Sequence, residues 1–134
     1  MKTLTWACRI SGGLLTLASI PHATMGLAAQ FEAISQGFVT GDARDDLVLI
    51  WVFSSITMFL MGTWLLFLSI HFQRGNTWLN WFQALLIALG LIGFGVWGGL
   101  YSADGKGLFG FAVMGFIVLL PLFFFRPQTN TAHD

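Results

Sequence analysis

Four stretches of the chain, 10–31, 47–70, 79–101 and 107–125, contain no Asp, Glu, Lys or Arg. Each is about as long as the 20 or so apolar residues an α-helix needs to cross a hydrocarbon core. In lipid, every backbone N–H and C=O must find a partner inside the protein, so such a run is a helix unless it belongs to a closed barrel. Period-two alternation is absent from all four, which sets the barrel aside. The sequence therefore predicts an all-α, polytopic membrane protein. Residues 1–127 form one four-transmembrane-helix bundle, and 128–134 are expected to be a disordered tail.

Composition agrees. Charged residues make up 9% of the 134, against about 25% in an ordinary soluble domain. So few charges cannot cover a surface in water. The formal net charge is zero and there is no basic run, which excludes a nucleic-acid partner. Cys8 is the only cysteine, so no intrachain disulfide and no thiolate metal cluster can form. It reads as a buried structural thiol.

The connectors fit four helices. Asp42 can cap the second helix, with Asp45 and Asp46 in its first turn, where the helix dipole favours acids. Arg74 and Gly75 close it, Asn76 or Thr77 can cap the third helix, and 102–106 turn tightly into the fourth. Arg126-Pro127 ends the last. In the long connector, Phe31, Ile34 and Phe38 recur at helical spacing, which predicts that the first helix continues to about Gly37.

Orientation follows from the cations. Lys2, Arg9, Arg74 and Arg126 fall on one side, and only Arg44 and Lys106 on the other. That bias favours N-in/C-in. Trp6, Trp78 and Trp81 then form an inner aromatic belt, and Trp51, Trp97 and Tyr101 an outer one. The expected location is a bacterial cytoplasmic (inner) membrane. One rival treats the first span as a signal peptide, which would leave three helices. Leu27-Ala28-Ala29 is a poor cleavage site, which favours retention.

Lipid provides no hydrophobic drive between helices, so small residues mark the packing faces. Ser55, Gly62 and Ser69 repeat every seven residues along the second helix. On the third, Ala84, Ala88, Gly95 and Gly99 share a face, while Gly90 and Gly93 suggest a second close-approach surface. That would make the third helix central, touching two neighbours or a second copy of the chain. Gly107, Gly110 and Gly115 are expected to do similar work on the fourth.

His22 is the one feature that rises above packing. It follows Pro21 inside the first span, where proline removes a donor and clashes with the Leu17 carbonyl, predicting a kink. An ionisable residue inside a membrane is a functional-site hypothesis by default. At its depth the second helix offers Ser54 and Ser55. His22 is expected to hydrogen-bond to one of them or to backbone freed by Pro21. His22, Ser54 and Ser55 are thus the candidate ligand-binding residues. The plainer reading makes His22 a neutral residue fastening two helices.

Nothing else gathers into a site. His71 lies at the far end of the second helix from His22, so one chain cannot supply a bis-histidine haem pair; His133 is in the tail. Met58 and Met61 read as packing. Glu32, Asp42, Asp45 and Asp46 form an acidic cluster better explained by capping and solvation than by calcium. No catalytic residue, metal site or cofactor is implied by a motif.

In size, in a first helix bearing Pro21, His22 and Gly26, and in a second helix opening with acids and Trp51, the layout resembles the small four-helix bacterial membrane proteins grouped around DoxX. That resemblance implies quinone-linked redox chemistry, although many members have no assigned activity. With Cys8 alone, this chain departs from a thiol-redox role.

Three functions compete. The first is a non-catalytic subunit or accessory bundle packing with a membrane partner or itself. The second is a binder or carrier of an apolar molecule, quinone or lipid, anchored at His22; it predicts a cavity beside that residue. The third, a small transporter, ranks lower because no span carries a carboxylate. An enzyme ranks last.

Overall fold

The computed structural model describes residues 2–75, 77–101, 105–125 and 127. Its elements are α1 (Lys2–Pro21), a π segment (His22–Gly26), α2 (Leu27–Ser35), α3 (Asp42–Arg74), α4 (Trp78–Tyr101), a 3-10 turn (Gly105–Leu108) and α5 (Phe109–Phe124). There is no strand among the described residues. Three helical stretches, Asp42–Arg74, Trp78–Tyr101 and Gly105–Phe124, are long and apolar enough to cross a membrane. The expected first span, 10–31, is not among these three. It is divided over α1, the π segment and α2, with Pro21 and His22 at the division. Large apolar side chains such as Phe53, Leu60, Leu86, Phe94, Phe116 and Leu120 stand exposed on α3, α4 and α5. Apolar surface of that extent marks contact with lipid or with another protein.

The helix ends follow local chemistry. α2 stops at Ser35, two residues short of the expected Gly37. The Phe38 N–H reaches the Ala33 carbonyl and the Gly37 N–H reaches Ile34, with Gly37 at φ +77°. That is the Schellman pattern, which needs a residue tolerant of the left-handed region. Asp42, expected as a cap, is instead the first residue of α3, with Asp45 in the same turn. Thr77 caps α4, its Oγ1 accepting from the Asn80 N–H at 3.3 Å. Asn76, most of the 102–106 turn, Arg126 and the 128–134 tail lie outside the described residues.

Two compact units can be distinguished. One comprises Met1–Ser11 and Trp64–Asp134. Here α4 and α5 lie along each other through buried small residues: Ala84, Ala88 and Gly95 on one, Ala112 and Gly115 on the other. A Cβ added at Gly95 would collide with the Ala112 backbone, and one at Gly115 would come within 2.6 Å of the Ala88 carbonyl oxygen. Gly99 is half-buried beneath the Phe109 ring. Two polar bonds tie this unit. Ser11 Oγ donates to the Met114 carbonyl at 3.0 Å. The Trp81 indole donates to the Leu122 carbonyl at 3.0 Å; that carbonyl belongs to the last turn of α5, where the helical ladder runs out of donors.

Gly90 and Gly93, the expected second approach surface of α4, are both exposed. A Cβ at Gly93, Gly107 or Gly110 would likewise find open space. These positions lie around their helices from the α4–α5 contact, which uses Ala84, Ala88, Gly95, Ala112 and Gly115 instead.

The other unit is Gly12–Thr63. Gly62 marks where α1 and α3 touch: an added Cβ would lie 2.5 Å from Thr16 Oγ1 and 2.8 Å from the Gly12 carbonyl oxygen. Ser55 and Gly62 are buried in this unit, and Ser69, the third residue of the heptad seam, is buried in the other.

Gly95→Val is expected to lower stability in detergent by about 1–3 kcal/mol or more through overpacking, whereas Gly93→Val stays within about 0.5 kcal/mol of the parent. Thermal unfolding followed by circular dichroism in one detergent separates the two. Equal losses would mean that α4 does not meet α5 through Gly95.

Candidate functional site

The candidate site lies within the second unit, where the first helical run changes register. α1 continues through Pro21, whose φ of −62° and ψ of −30° are helical. Proline supplies no N–H, so the ladder is already one donor short. The next five residues adopt the wider π winding. The Leu27 N–H, which a continuing π ladder would direct to His22, bonds Thr24 instead. Hydroxyls nearby add bonds to helical carbonyls: Ser19 Oγ donates to the Thr16 carbonyl at 2.7 Å and Thr24 Oγ1 to Ile20 at 2.9 Å. Side-chain donors and local winding changes of this kind are how proline-bearing helices are tolerated in lipid.

The His22 carbonyl takes its donor from α3. The Trp51 indole N–H reaches it at 2.8 Å. The imidazole stacks on the same indole, with ring centres 4.4 Å apart and planes 5° from parallel. Its Nδ1 lies 2.8 Å from Ser55 Oγ, a hydrogen bond whose direction follows the imidazole tautomer. Ser55 Oγ also donates to the Trp51 carbonyl at 2.9 Å. Gly26 completes the contact, because a Cβ there would come within 2.6 Å of the indole. One turn of α3, Trp51 to Ser55, therefore grips both the first and the last residue of the π segment.

Of the candidate ligand-binding residues, His22 and Ser55 are brought together. Ser54 is not; its hydroxyl turns to the Trp51 carbonyl at 2.8 Å. The kink expected at Pro21 takes the form of a π segment. Trp51, assigned from sequence to an interfacial belt, is half-buried and makes more of this site than any other residue. The missed signal is its spacing. Trp51 lies four residues before Ser55, on the same helix face as the small-residue seam.

A groove of about 340 Å³ opens beside the Ser55 end of the cluster, lined by Ser19, Ile20, Ala23, Thr24, Ser55, Ile56 and Phe59. Its three hydroxyls already bond to backbone carbonyls, so it presents an apolar surface. Ser19 and Ser55 are buried at its floor, and Ile20, Ile56 and Phe59 are exposed at its rim.

The remaining candidates stand apart. His71 Nδ1 meets the Phe67 carbonyl at 3.1 Å and its ring packs on Phe67, in the last turn of α3. Met58 is buried and Met25 exposed. Asp42, Asp45 and Asp46 are exposed at the start of α3. The Arg9 guanidinium lies 5.3 Å from the Trp6 ring centre, a cation–π contact. Cys8 is fully buried. His133 lies outside the described residues. Among the described residues, no three His, Cys, Asp or Glu side chains come together to hold a metal ion.

These observations define an all-helical protein with three helices able to cross a membrane, and with one polar cluster joining the first helical run to α3. No protein-family model, no curated protein and no solved structure matches the chain.

Ser55→Ala removes the partner of a ring nitrogen and is expected to cost about 1–3 kcal/mol of stability, while Ser54→Ala, which loses only a local bond, costs less than about 0.5 kcal/mol. Denaturation in mixed micelles measures both. Parity between them would mean the imidazole does not rely on Ser55.

Proposed function

We propose that this chain is a small multi-pass protein of a bacterial cytoplasmic membrane that serves as a non-catalytic subunit or assembly bundle. In this reading the 10–31 stretch crosses the bilayer alongside the three long apolar helices, and both ends face the cytoplasm. The observation that carries it is the state of His22. The single histidine within the uncharged stretches stacks on Trp51, bonds Ser55 and has its own carbonyl held by the indole. Those contacts suit a fastener between helices. The exposed Gly90 and Gly93 face of α4 supports a neighbour, either a partner subunit or a second copy.

A second reading is favoured by the groove beside Ser55. Its apolar lining suits the hydrocarbon part of a lipid or quinone, and the half-exposed imidazole suits a polar group on the same molecule. The chain would then be a binder or carrier of an apolar small molecule.

Gentle purification followed by native mass spectrometry tests both. A dimer or a stoichiometric partner chain is expected for the first reading. A retained small molecule on a monomer, lost in His22→Ala, would replace it with the second.

Topology has its own test. With the buried Cys8 replaced by alanine, Gly41→Cys is expected to react with an impermeant maleimide in intact cells, whereas Lys2→Cys and Thr131→Cys react only after lysis. Labelling of one end but not the other in intact cells would remove the even number of crossings.

A further inference from the structure

The π segment His22–Gly26 is clamped from outside by contacts its own ladder does not supply. Two donors are available to the His22 carbonyl. One is the Trp51 indole, which occupies it at 2.8 Å. The other is the Gly26 N–H, which would take it if the segment wound as an ordinary α-helix, where each N–H bonds the carbonyl four residues earlier. One arrangement makes the other unnecessary. The stack of the imidazole on the indole, the Nδ1–Ser55 bond and the seating of Gly26 against the same indole all favour the first arrangement. Every one of these contacts comes from a single turn of α3, a helix uninterrupted from Asp42 to Arg74.

We propose that Trp51 and His22 form a latch that holds the first helical run in its π register, and that releasing the latch lets residues 22–26 close into α-helix. A π turn holds one residue more than an α turn, so closing it shifts everything beyond by one residue of register. For α2 that is a rotation of about 100° and an advance of about 1.5 Å relative to α1. The half-buried Gln30 and Ile34 would leave their present side of α2, and Ala29 and Ala33 would take it. The element has two discrete arrangements with a competing donor for each, which is what a conformational switch requires. Gly26 fits both, because it has no Cβ to meet the indole and a helical backbone at φ −64° and ψ −45°. This device stands apart from the choice between a subunit and a binder.

Spin labels at Ala29→Cys and Arg44→Cys, in a Cys8→Ala chain within lipid nanodiscs, report the position of α2 against the start of α3. The parent is expected to give one distance. Trp51→Phe keeps the ring for stacking but removes the donor. It is expected to add a second distance and to speed amide exchange at Gly26 and Leu27 about tenfold, the scale of one hydrogen bond. Deletion of Ala23 in the Trp51→Phe chain removes the extra residue, so that plain α winding returns α2 to its parental phase, and is expected to restore the parent distance alone. The proposal is overturned if Trp51→Phe keeps the parent distance and exchange rates. It is equally overturned if the second distance persists after the deletion, because the shift would then not come from the extra residue of the π turn. Should Trp51→Phe fail to accumulate, Gly26→Ala dislodges the indole by contact and is read by the same two outcomes.

Discussion

A backbone carbonyl that loses its helical partner has no water to turn to in hydrocarbon, and the architecture bends around that requirement. Twice a tryptophan from another helix donates to the carbonyl directly after a proline. Trp51 serves the carbonyl of His22, after Pro21. Trp81 serves that of Leu122, after Pro121. The causes differ. At His22 the change to π winding diverts the Leu27 N–H, and at Leu122 the helix is about to end. The remedy is the same: a large ring that packs as an apolar body and carries one N–H at its edge. Smaller polar groups do comparable work within single helices, as Ser19, Thr24 and Ser54 show.

Close approach of backbones is the second condition, since an indole or hydroxyl can bridge helices only where they nearly touch. Gly62 against Gly12 and Thr16, and Gly95 and Gly115 in the α4–α5 contact, provide it in the two units respectively. Dispersion over these contacts replaces the hydrophobic drive that lipid withholds. Small side chains and polar bridges therefore recur together: Gly62 and Ser55 lie on one stripe of α3, and Trp51 continues it.

Much of this was legible in the residues. Uncharged length predicted the helices, heptad spacing predicted the burial of Ser55 and Ser69, and Pro21 pointed to an irregularity beside His22. The division of the first run was less visible, because a π turn leaves composition unchanged and is held by a ring 29 residues along the chain from His22. The part Trp51 plays in the cluster was missed because its position near a span end drew attention to the interface, whereas its face on the helix brings it to His22. Gly90 and Gly93 illustrate the converse. Glycine announces that a backbone could be approached, but the partner that approaches is not encoded in the glycine itself.

The length of α3 has a further consequence. Thirty-three residues at 1.5 Å each make a rod of about 50 Å, while a hydrocarbon core is only about 30 Å thick. The excess must be absorbed by tilt or stand in the headgroups and water. Asp42, Arg44, Asp45 and Asp46 occupy the first turns, and Arg74 closes the other end, so the polar surplus is gathered chiefly at the start of the rod. Bilayer thickness would then bear directly on how deeply the Trp51 turn is immersed, giving lipid composition leverage over the helix that grips His22.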